Sequence, residues 1–532
     1  MAKNGFCIMS LFDKKLLVAG GCLASVASAA FAQDYTDALR FNANDVVGTA
    51  RTQALGGAYG AVGADLTSMS INPAGMALYR ATELGLTLGV NVAKAESEFF
   101  AQKATDDRVR VSFDQLGVNF SFGRMREEGG GAVAHSFFVG YNRLADFNGK
   151  YVYNDNFSRN SLLDYFCFDE QISGGTTGAL AYSAYLTEDT TVATSGGESA
   201  KLRFNVWEEL TGDENYVNPN FRIDENGNGI ISLRRWVDES GSKGDIPIGY
   251  AVNISNKLYV GGSINIKTLT YDRKVVHSES FEGYAAVDNA PTNFSYRVRL
   301  EQDGTGVGFN LGVIYRPINA LRVGFALHSP TFFSVNEKYY ADITNPARNL
   351  VVSSDRYEYE YKYRAPSRFV ASVAGVFGNV GLLSFDYERT NNKRSKFSSD
   401  DEEFGVGTTT SGIYDAINAE MKDRILTASN TFRVGGELSV LRPVYLRAGY
   451  RQTTSAVRSP YYVNEAKNYA ISGGVGLRMN NFFVDLAYVC STKKSDSWVL
   501  PDSANPYPYE VNAPAWLVQR AHSGVVTFGF RF

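Results

Sequence analysis

The sequence predicts an all-β fold, specifically a transmembrane antiparallel β-barrel of about fourteen strands with a small N-terminal hatch inside it. Three observations lead to this prediction. Apolar residues alternate with polar residues or glycine along many segments, as they do in strands with one apolar face. Glycine and aromatic residues are abundant, with 51 Gly and 13% aromatics among 532 residues. Very short connections alternate with very long ones between these segments, which is typical of outer-membrane barrels.

Composition excludes several other classes of protein. The mean hydropathy of −0.20 and the lack of long apolar runs argue against a bundle of membrane helices. The residue content is also unlike that of collagen-like, coiled-coil or generally disordered chains. A formal net charge of −4 gives no indication of nucleic-acid binding, so we expect no nucleic-acid partner.

The first residues predict export. Lys14 and Lys15 precede a short apolar run that ends in Ala30-Phe31-Ala32, an A-x-A cleavage pattern. This arrangement predicts a signal peptide over residues 1–32. An N-terminal membrane anchor and a lipoprotein signal at Cys22 are the alternatives, and the shortness of the apolar run disfavours both.

Residues 33–80 do not alternate and are rich in small side chains, which predicts a compact segment rather than a tail. Within it, Asn72-Pro73-Ala74-Gly75 suits the start of a helix, with Asn at the N-cap and Pro at the first helical position. Residues 81–532 then form the predicted barrel.

The two faces of the alternating segments differ in character. A soluble sandwich is the alternative, but here the second face is rich in glycine and carries charges of both signs, as a crowded polar lumen would. We expect a first group of apolar residues to face lipid: Leu84, Phe120, Leu327, Phe385, Leu438 and Phe528. We expect a second, charged group to pair across strands inside the lumen: Arg433, Glu437, Asp386, Glu388, Arg447 and Asp485.

The connections predict which end of the barrel faces outward. Short connections, expected on the periplasmic side, lie near residues 124–133, 255–257, 317–320, 378–380, 441–443 and 479–481. Long connections, expected to be extracellular loops, lie near residues 92–111, 144–245, 277–293, 330–363, 391–429, 456–465 and 493–520. The largest, about 144–245, contains no pattern that indicates a function.

The last alternating segment ends the sequence in an aromatic residue. Phe528, Phe530 and Phe532 share one face, and this terminal pattern resembles the signal that the barrel assembly machinery recognises. We therefore expect these three residues to form an assembly signal and that machinery to be a partner.

The order of these features resembles a known family. "ALGGAYGAVGAD" and "INPAGMALY", then about fourteen alternating strands and a C-terminal Phe, are similar to the long-chain fatty-acid (FadL-type) outer-membrane transporters. The resemblance implies that residues 33–80 form a hatch that plugs the barrel, in which Asn72-Pro73-Ala74 matches the family's Asn-Pro-Ala motif. It covers the hatch and nearly all strands, but not the region of about 144–245.

The resemblance also implies a route for the solute. In the family, a hydrophobic compound enters among the outer loops and leaves sideways through a gap at a kink in the third strand. Here the third strand would span about 136–143, with Gly140 at its middle. Gly140 is therefore the candidate lateral gate, because glycine permits a bend inside a strand. An ordinary lumen-facing glycine is the other interpretation.

Signs of catalytic or metal chemistry are missing from the sequence. His135, His277, His328 and His522 form no metal-binding motif, and there is no G-x-S-x-G sequence. We therefore expect no enzyme activity, no cofactor and no metal. An active site assembled from lumen residues remains the alternative.

Passive uptake of hydrophobic compounds such as long-chain fatty acids is the leading functional hypothesis. It implies a monomer whose partners are outer-membrane lipid and a hydrophobic small-molecule ligand. A shuttle of the type IX secretion kind, with the 144–245 region as a docking surface, is an alternative. Uptake of haem or aromatic compounds is another. A general porin is a third, which a hatch disfavours because it would fill the barrel.

Overall fold

A computed structural model describes most of the chain. The expected signal peptide 1–32 and part of the 144–245 insertion lie outside the described residues. Among the residues it describes, no helix is long and apolar enough to cross a lipid bilayer. The described ranges are 35–45, 47–99, 102–123, 131–158, 161–163, 166, 176–193, 199–205, 230–282, 292–399, 410–441, 443–458, 468–497 and 515–532.

Fourteen strands form one closed antiparallel barrel, which confirms the predicted fold class. Each strand pairs with its neighbour in chain order. The last pairs with the first, from Glu83↔Arg531 to Glu98↔Trp516, so the sheet has no free edge in the membrane. The strands are β1 Glu83–Phe99, β2 Gln102–Phe122, β3 Ala132–Asp146, β4 Ile230–Ile254, β5 Leu258–Glu282, β6 Asn293–Ile318, β7 Leu321–His328, β8 Arg368–Phe377, β9 Gly381–Asn391, β10 Ala428–Leu441, β11 Val444–Thr453, β12 Asn468–Arg478, β13 Phe482–Ser497 and β14 Ala515–Arg531.

An apolar belt surrounds the outside of the barrel. The six residues expected to face lipid are all exposed, with exposed fractions between 38% and 50%. Their neighbours along the strands, such as Ser384 and Asp386 beside Phe385, are buried in the lumen. The chain is therefore a transmembrane β-barrel of the outer-membrane type, as predicted.

A charge placed in this belt should destabilise the barrel. Phe385→Arg is expected to lower the free energy of unfolding by about 2–4 kcal/mol, the cost of a cation at the bilayer midplane. Urea unfolding of the barrel refolded into vesicles measures it. Phe377→Arg, at the end of β8 next to the short turn, is the control and should cost about 0–1 kcal/mol because the side chain reaches the interface. Equal effects of the two substitutions would contradict the assigned belt.

Several strands continue beyond the bilayer, where loops were expected. β1 and β2 pair as far as Phe99↔Gln102, so the expected loop 92–111 is almost entirely strand. The expected loop 330–363 contains strands Thr331–Asn345 and Tyr357–Ala365, and β4 begins inside the expected loop 144–245. These extensions escaped prediction because their outward faces meet water and carry charges. The apolar alternation that indicates a lipid-facing strand therefore disappears.

The remaining elements lie inside the barrel or at its outer end. Three helices belong to the N-terminal segment: α1 Tyr35–Asn42, α2 Ala50–Ala54 and α3 Ser68–Ile71, followed by a 3₁₀ helix, Pro73–Leu78. Two more are α4 Thr176–Ser183 and α5 Thr410–Glu420, which runs into a π-helical turn, Met421–Ile425. Short 3₁₀ helices are Pro346–Arg348 and Asn392–Arg394, and the additional strands are Gly149–Ser158, Thr187–Ala193, Ser199–Asn205, Thr331–Asn345, Leu350–Ser353, Tyr357–Ala365 and Lys396–Ser398.

A hydrophobic cluster lies across the outer end of the barrel. Leu163, Phe166 and Leu186 of the insertion pack there with the outer ends of several strands, including Phe99 of β1 and Phe281 of β5. All five side chains are buried. The outer mouth therefore contains an apolar core rather than an open aqueous channel.

Candidate functional site

The N-terminal segment is buried against inward-facing residues of the barrel wall. Wall glycines make this possible, because a Cβ atom at any of them would collide with the segment. A Cβ on Gly312 would lie 1.9 Å from Asn72 Oδ1, and one on Gly449 would lie 2.2 Å from the Gly56 nitrogen. Other wall glycines in similar contact are Gly85, Gly117, Gly140, Gly261, Gly324, Gly435 and Gly474. The glycine-rich inner face is thus shaped to the segment.

Asn72 holds the turn at the centre of this segment. Its backbone is extended, and its Oδ1 accepts a hydrogen bond from the Ala74 nitrogen at 3.2 Å, which caps the 3₁₀ helix that begins at Pro73. Its Nδ2 donates to the Gly60 carbonyl at 2.6 Å. Asn72 therefore links two turns of the segment, and Gly75 packs between Gly63 and Ser68.

Asn72→Ala should loosen the segment. The substitution removes the cap and leaves the buried Gly60 carbonyl without its donor, which together cost about 1–3 kcal/mol. Limited proteolysis of folded barrel should then release the N-terminal segment faster than in the wild type. Asn336→Ala, which removes an exposed hydrogen bond to Glu358, is the control. Identical cleavage of the two variants would show that the cap contributes nothing.

A buried chain of charges ties the segment to the wall. Arg51 of α2 donates to both carboxylate oxygens of Glu437 at 2.9 Å. Arg447 donates to the same Glu437 at 2.7 Å and to Asp485 at 2.5 Å. Burial lowers the pKa of Arg51, but its interactions with Glu437, Tyr59 and Asp65 together outweigh burial and raise that pKa well above its usual range. Arg51 therefore stays charged and anchored.

The predicted pairing of lumen charges is confirmed, with one difference. Glu388 lies 2.9 Å from Arg433 and 3.3 Å from Arg368, and Glu437 and Asp485 share Arg447. Asp386 instead accepts hydrogen bonds from the backbone nitrogens of Tyr59 and Gly60 at 2.9 and 2.8 Å. Asp386 therefore holds the N-terminal segment, which the strand pattern alone could not indicate.

Helix α1 places an aromatic side chain in a cage of aromatic residues on the lumen side. The ring centroid of Phe41 lies 4.8 Å from that of Tyr363, 6.2 Å from Phe333 and 6.4 Å from Phe397. All four rings are buried. We call Phe333, Tyr363 and Phe397 the aromatic cage. The chain fills this cage with its own phenyl ring.

Polar contacts fix α1 in this position. The Arg40 guanidinium lies 3.5 Å from the centroid of the Tyr271 ring, and its Nη1 donates to Gln302 at 2.9 Å. Gln302 in turn donates to Glu337 at 2.7 Å and to Asp37 at 3.1 Å. A cation–π contact and a set of hydrogen bonds therefore hold α1 in place.

Two buried lysines lie beside the cage. Lys243 Nζ donates to the carbonyls of Phe41 at 2.5 Å and Ala43 at 3.1 Å, and it lies 5.8 Å from the centroid of the Phe333 ring. Lys267 Nζ donates to the Thr331 hydroxyl at 2.8 Å. Only 4% of Lys243 and 6% of Lys267 is exposed.

Neither lysine is paired with a carboxylate. In the described part of the chain, no carboxylate oxygen lies within 4.0 Å of either Nζ. Asp245 faces Lys267 across β4 and β5, but its oxygens accept from Ser70 and Asn265 instead. Lysines are almost never fully buried unless paired. An apolar cage beside two buried lysine amino groups can accept an amphiphile with an acidic head.

The pairing between β3 and β4 is interrupted next to Gly140. Pairing between β3 and β4 runs to Val139↔Ile248 and resumes in the same register at Asn142↔Asp245. The two missing pairs would be Gly140 with Pro247 and Tyr141 with Ile246, and Pro247 has no N–H to donate. Gly140 is still paired with Gly117 of β2 on its other side. Gly140 thus lies beside a gap in the ladder between β3 and β4, opposite a proline of the facing strand.

The N-terminal segment covers this gap from inside. A Cβ on Gly140 would lie 2.7 Å from the Met69 Cε, and one on Gly117 would lie at the same distance from it. Met69 belongs to α3 and is fully buried. Helix α3 therefore lies against the inner face of the wall at Gly140.

The residues of this site that were not identified from the sequence include Phe41, Lys243, Lys267 and Pro247. Pro247 carried a usable signal, because proline inside a strand marks an interruption of the ladder. Lys243 and Lys267 lie at polar positions of alternating stretches, but a lysine in such a pattern also suits a solvated surface. Nothing in the pattern around Phe41 sets it apart from other aromatic residues.

The C-terminal aromatic residues lie on the outer face of β14. Phe528, Phe530 and Phe532 are exposed, and the Phe532 nitrogen donates to the Thr82 carbonyl at 3.0 Å. They share one face as predicted. Their role as an assembly signal stays a prediction.

Comparison with known proteins shows a similarity of fold. No family model matches the sequence, and a search of curated proteins found no significant relative. The toluene transporter TodX of Pseudomonas putida matches in structure with a TM-score of 0.50 at 11% identity, covering 91% of this chain and 98% of that one. This chain resembles the FadL-type transporters in fold.

Two further solved structures are similar. One is a FadL homologue of Pseudomonas aeruginosa, with a TM-score of 0.49, 12% identity and coverage of 92% of this chain and 98% of that one. The other is the toluene transporter TbuX of Ralstonia pickettii, with a TM-score of 0.47, 12% identity and coverage of 92% and 100%.

Proposed function

We propose that this barrel takes up hydrophobic compounds across the outer membrane by passive diffusion, and that long-chain fatty acids are its simplest ligands. One observation carries the proposal: the aromatic cage lies beside two buried lysines that have no carboxylate partner. The cage offers apolar surface for an acyl chain, and the lysines offer two cations for a carboxylate. No step in this function requires catalysis, and a single barrel suffices.

Binding requires that the segment leave the cage. A carboxylate would compete with the Phe41 and Ala43 carbonyls for Lys243, and an acyl chain would compete with the Phe41 ring for Tyr363 and its neighbours. The carboxylate and the acyl chain would therefore both replace contacts that α1 makes. We infer that ligand entry displaces α1, so that residues 33–80 act as a hatch that the ligand itself loosens.

Exit follows from the physics of the acyl chain. Returning such a chain to water costs about 0.8 kcal/mol per CH₂ group, so a route that ends in lipid is favoured. The interruption at Gly140 and Pro247 lies in the apolar belt, with Ile248 and Phe137 exposed on the lipid side. We propose that the solute passes there when Met69 withdraws.

Aromatic compounds are the second candidate ligands, because the cage already holds a phenyl ring. The fold similarity to a toluene transporter is consistent with this candidate. The two candidates differ in their need for the lysines, since only a carboxylate would use them.

Equilibrium binding to the refolded mature barrel tests the proposal. A long-chain fatty acid should bind and should quench or shift the environment of a label placed on α1. The matched long-chain alcohol should bind more weakly, and toluene should bind regardless of the lysines. Failure to bind any of the three, together with capture of a secreted protein, would overturn the proposal in favour of a secretion shuttle. Free passage of polar solutes would favour a porin.

A further inference from the structure

Three cations on the outside of the barrel lack the partners that similar residues have elsewhere. In the described part of the chain, no carboxylate oxygen lies within 4.0 Å of Arg364, Arg389 or Lys396, although all three are exposed. Several other exterior cations are paired: Arg108 with Asp238, Arg297 with Asp342, Arg299 with Asp272, Lys338 with Glu358 and Arg520 with Glu96. Among the described residues, this surface therefore carries three cations without a carboxylate within 4.0 Å.

The strand register places these cations beside exposed aromatic rings. Arg364 lies directly opposite Lys396 on one side and Phe332 on the other. Arg389 lies directly opposite Phe369. Phe332 is 63% exposed and Phe369 is 43% exposed, as residues that face lipid are. Cations and apolar rings thus share one face of the wall.

The position along the barrel fixes the leaflet. The short turn between Phe377 and Gly381 lies at the opposite end of β8 and β9, and short turns are periplasmic in such barrels. The cations therefore lie at the extracellular rim of the apolar belt, where the headgroups of the outer leaflet are.

We propose that Arg364, Arg389 and Lys396, with Phe332 and Phe369, form a binding site for an anionic phosphorylated lipid of the outer leaflet. The phosphates bind the three cations, because basic residues near a membrane surface attract anionic headgroups. The acyl chains lie along Phe369 and the apolar belt beyond it. The site is independent of the lumen and of solute uptake.

Glycolipid retained by the native protein tests this site. Full-length protein is extracted from outer membranes in mild detergent, and phosphorylated glycolipid per barrel is measured by native mass spectrometry. In the triple variant Arg364→Gln, Arg389→Gln, Lys396→Gln, the amount of retained lipid should fall at least about tenfold, because each basic residue near the membrane surface contributes to binding. The control removes three other cations, Lys94→Gln, Lys103→Gln and Arg110→Gln, and should retain wild-type amounts.

A second arm separates the lipid from other sources of phosphate. Purified phosphorylated glycolipid should rebind to delipidated barrel, inorganic phosphate should compete with it only poorly, and the binding should be lost when the lipid is dephosphorylated. Equal retention in the two triple variants, or binding that ignores the lipid phosphates, would overturn the proposal. The acidic residues at 400–403 lie outside the described part of the chain. If they neutralised the three cations, the two triple variants would retain equal amounts of lipid. Heat-modifiable migration confirms that each variant is folded.

Discussion

Glu437→Gln is expected to lower the free energy of unfolding by about 3–5 kcal/mol, the cost of removing one member of a buried ion pair. Glu437 lies between two buried guanidinium groups, those of Arg51 and Arg447. The neutral amide would leave both cations without this counter-charge, although Arg447 would keep Asp485. Because Arg51 belongs to α2, the substitution should also free the N-terminal segment before the barrel itself unfolds.

Urea unfolding of the barrel in vesicles measures this loss, and protease sensitivity of the segment measures its release. Glu96→Gln is the matched control, because Glu96 pairs with Arg520 on the surface. Exposed pairs contribute about 0–1 kcal/mol, so the control should change little. A Glu437→Gln barrel as stable as the control, with its segment still protected, would contradict the assigned anchor.

Lys243→Met combined with Lys267→Met is expected to weaken binding of a long-chain fatty acid by about 2–5 kcal/mol, as truncation of a buried charge partner does. Methionine retains much of the lysine stem, so the cage should keep its shape. The barrel itself should remain stable or gain stability, because two buried cations without carboxylate partners are removed. Binding measured by calorimetry or by ligand fluorescence gives the change in affinity.

Two controls make this result specific. The matched long-chain alcohol should bind the double variant and the wild type equally, since it has no charge to lose. Lys338→Met removes an exposed, paired lysine and should leave fatty-acid binding unchanged. Loss of alcohol binding in the double variant would indicate a collapsed cage. Unchanged fatty-acid affinity would remove the lysines from the site.

The outer surface of the barrel was predictable because lipid imposes a simple rule. Leu84, Leu438 and Phe528 are exposed because each lies at an alternate position of an apolar strand, and period-2 alternation is readable without a structure. The closing pair of β1 and β14 follows from the even number of strands and the lack of any tolerated edge.

The inner surface was predictable only in part. The charges on β9, β10 and β11 pair as expected because neighbouring strands bring them together. The cage was not predictable, because Phe41, Phe333 and Phe397 come from distant parts of the chain and meet only after closure. Glycine is visibly enriched at inward positions of the strands. The sequence does not show which part of the N-terminal segment each glycine accommodates.

Uptake by a Pro247→Ala barrel tests the central claim most directly. Alanine restores an N–H opposite Gly140 and should complete the ladder between β3 and β4, which closes the wall. The variant should bind a long-chain fatty acid as the wild type does, yet its delivery into the membrane of proteoliposomes should fall strongly. Pro366→Ala, at a proline between Tyr357–Ala365 and β8, controls for proline removal elsewhere in the wall. Wild-type uptake by Pro247→Ala, with binding intact, would contradict lateral exit at this gap.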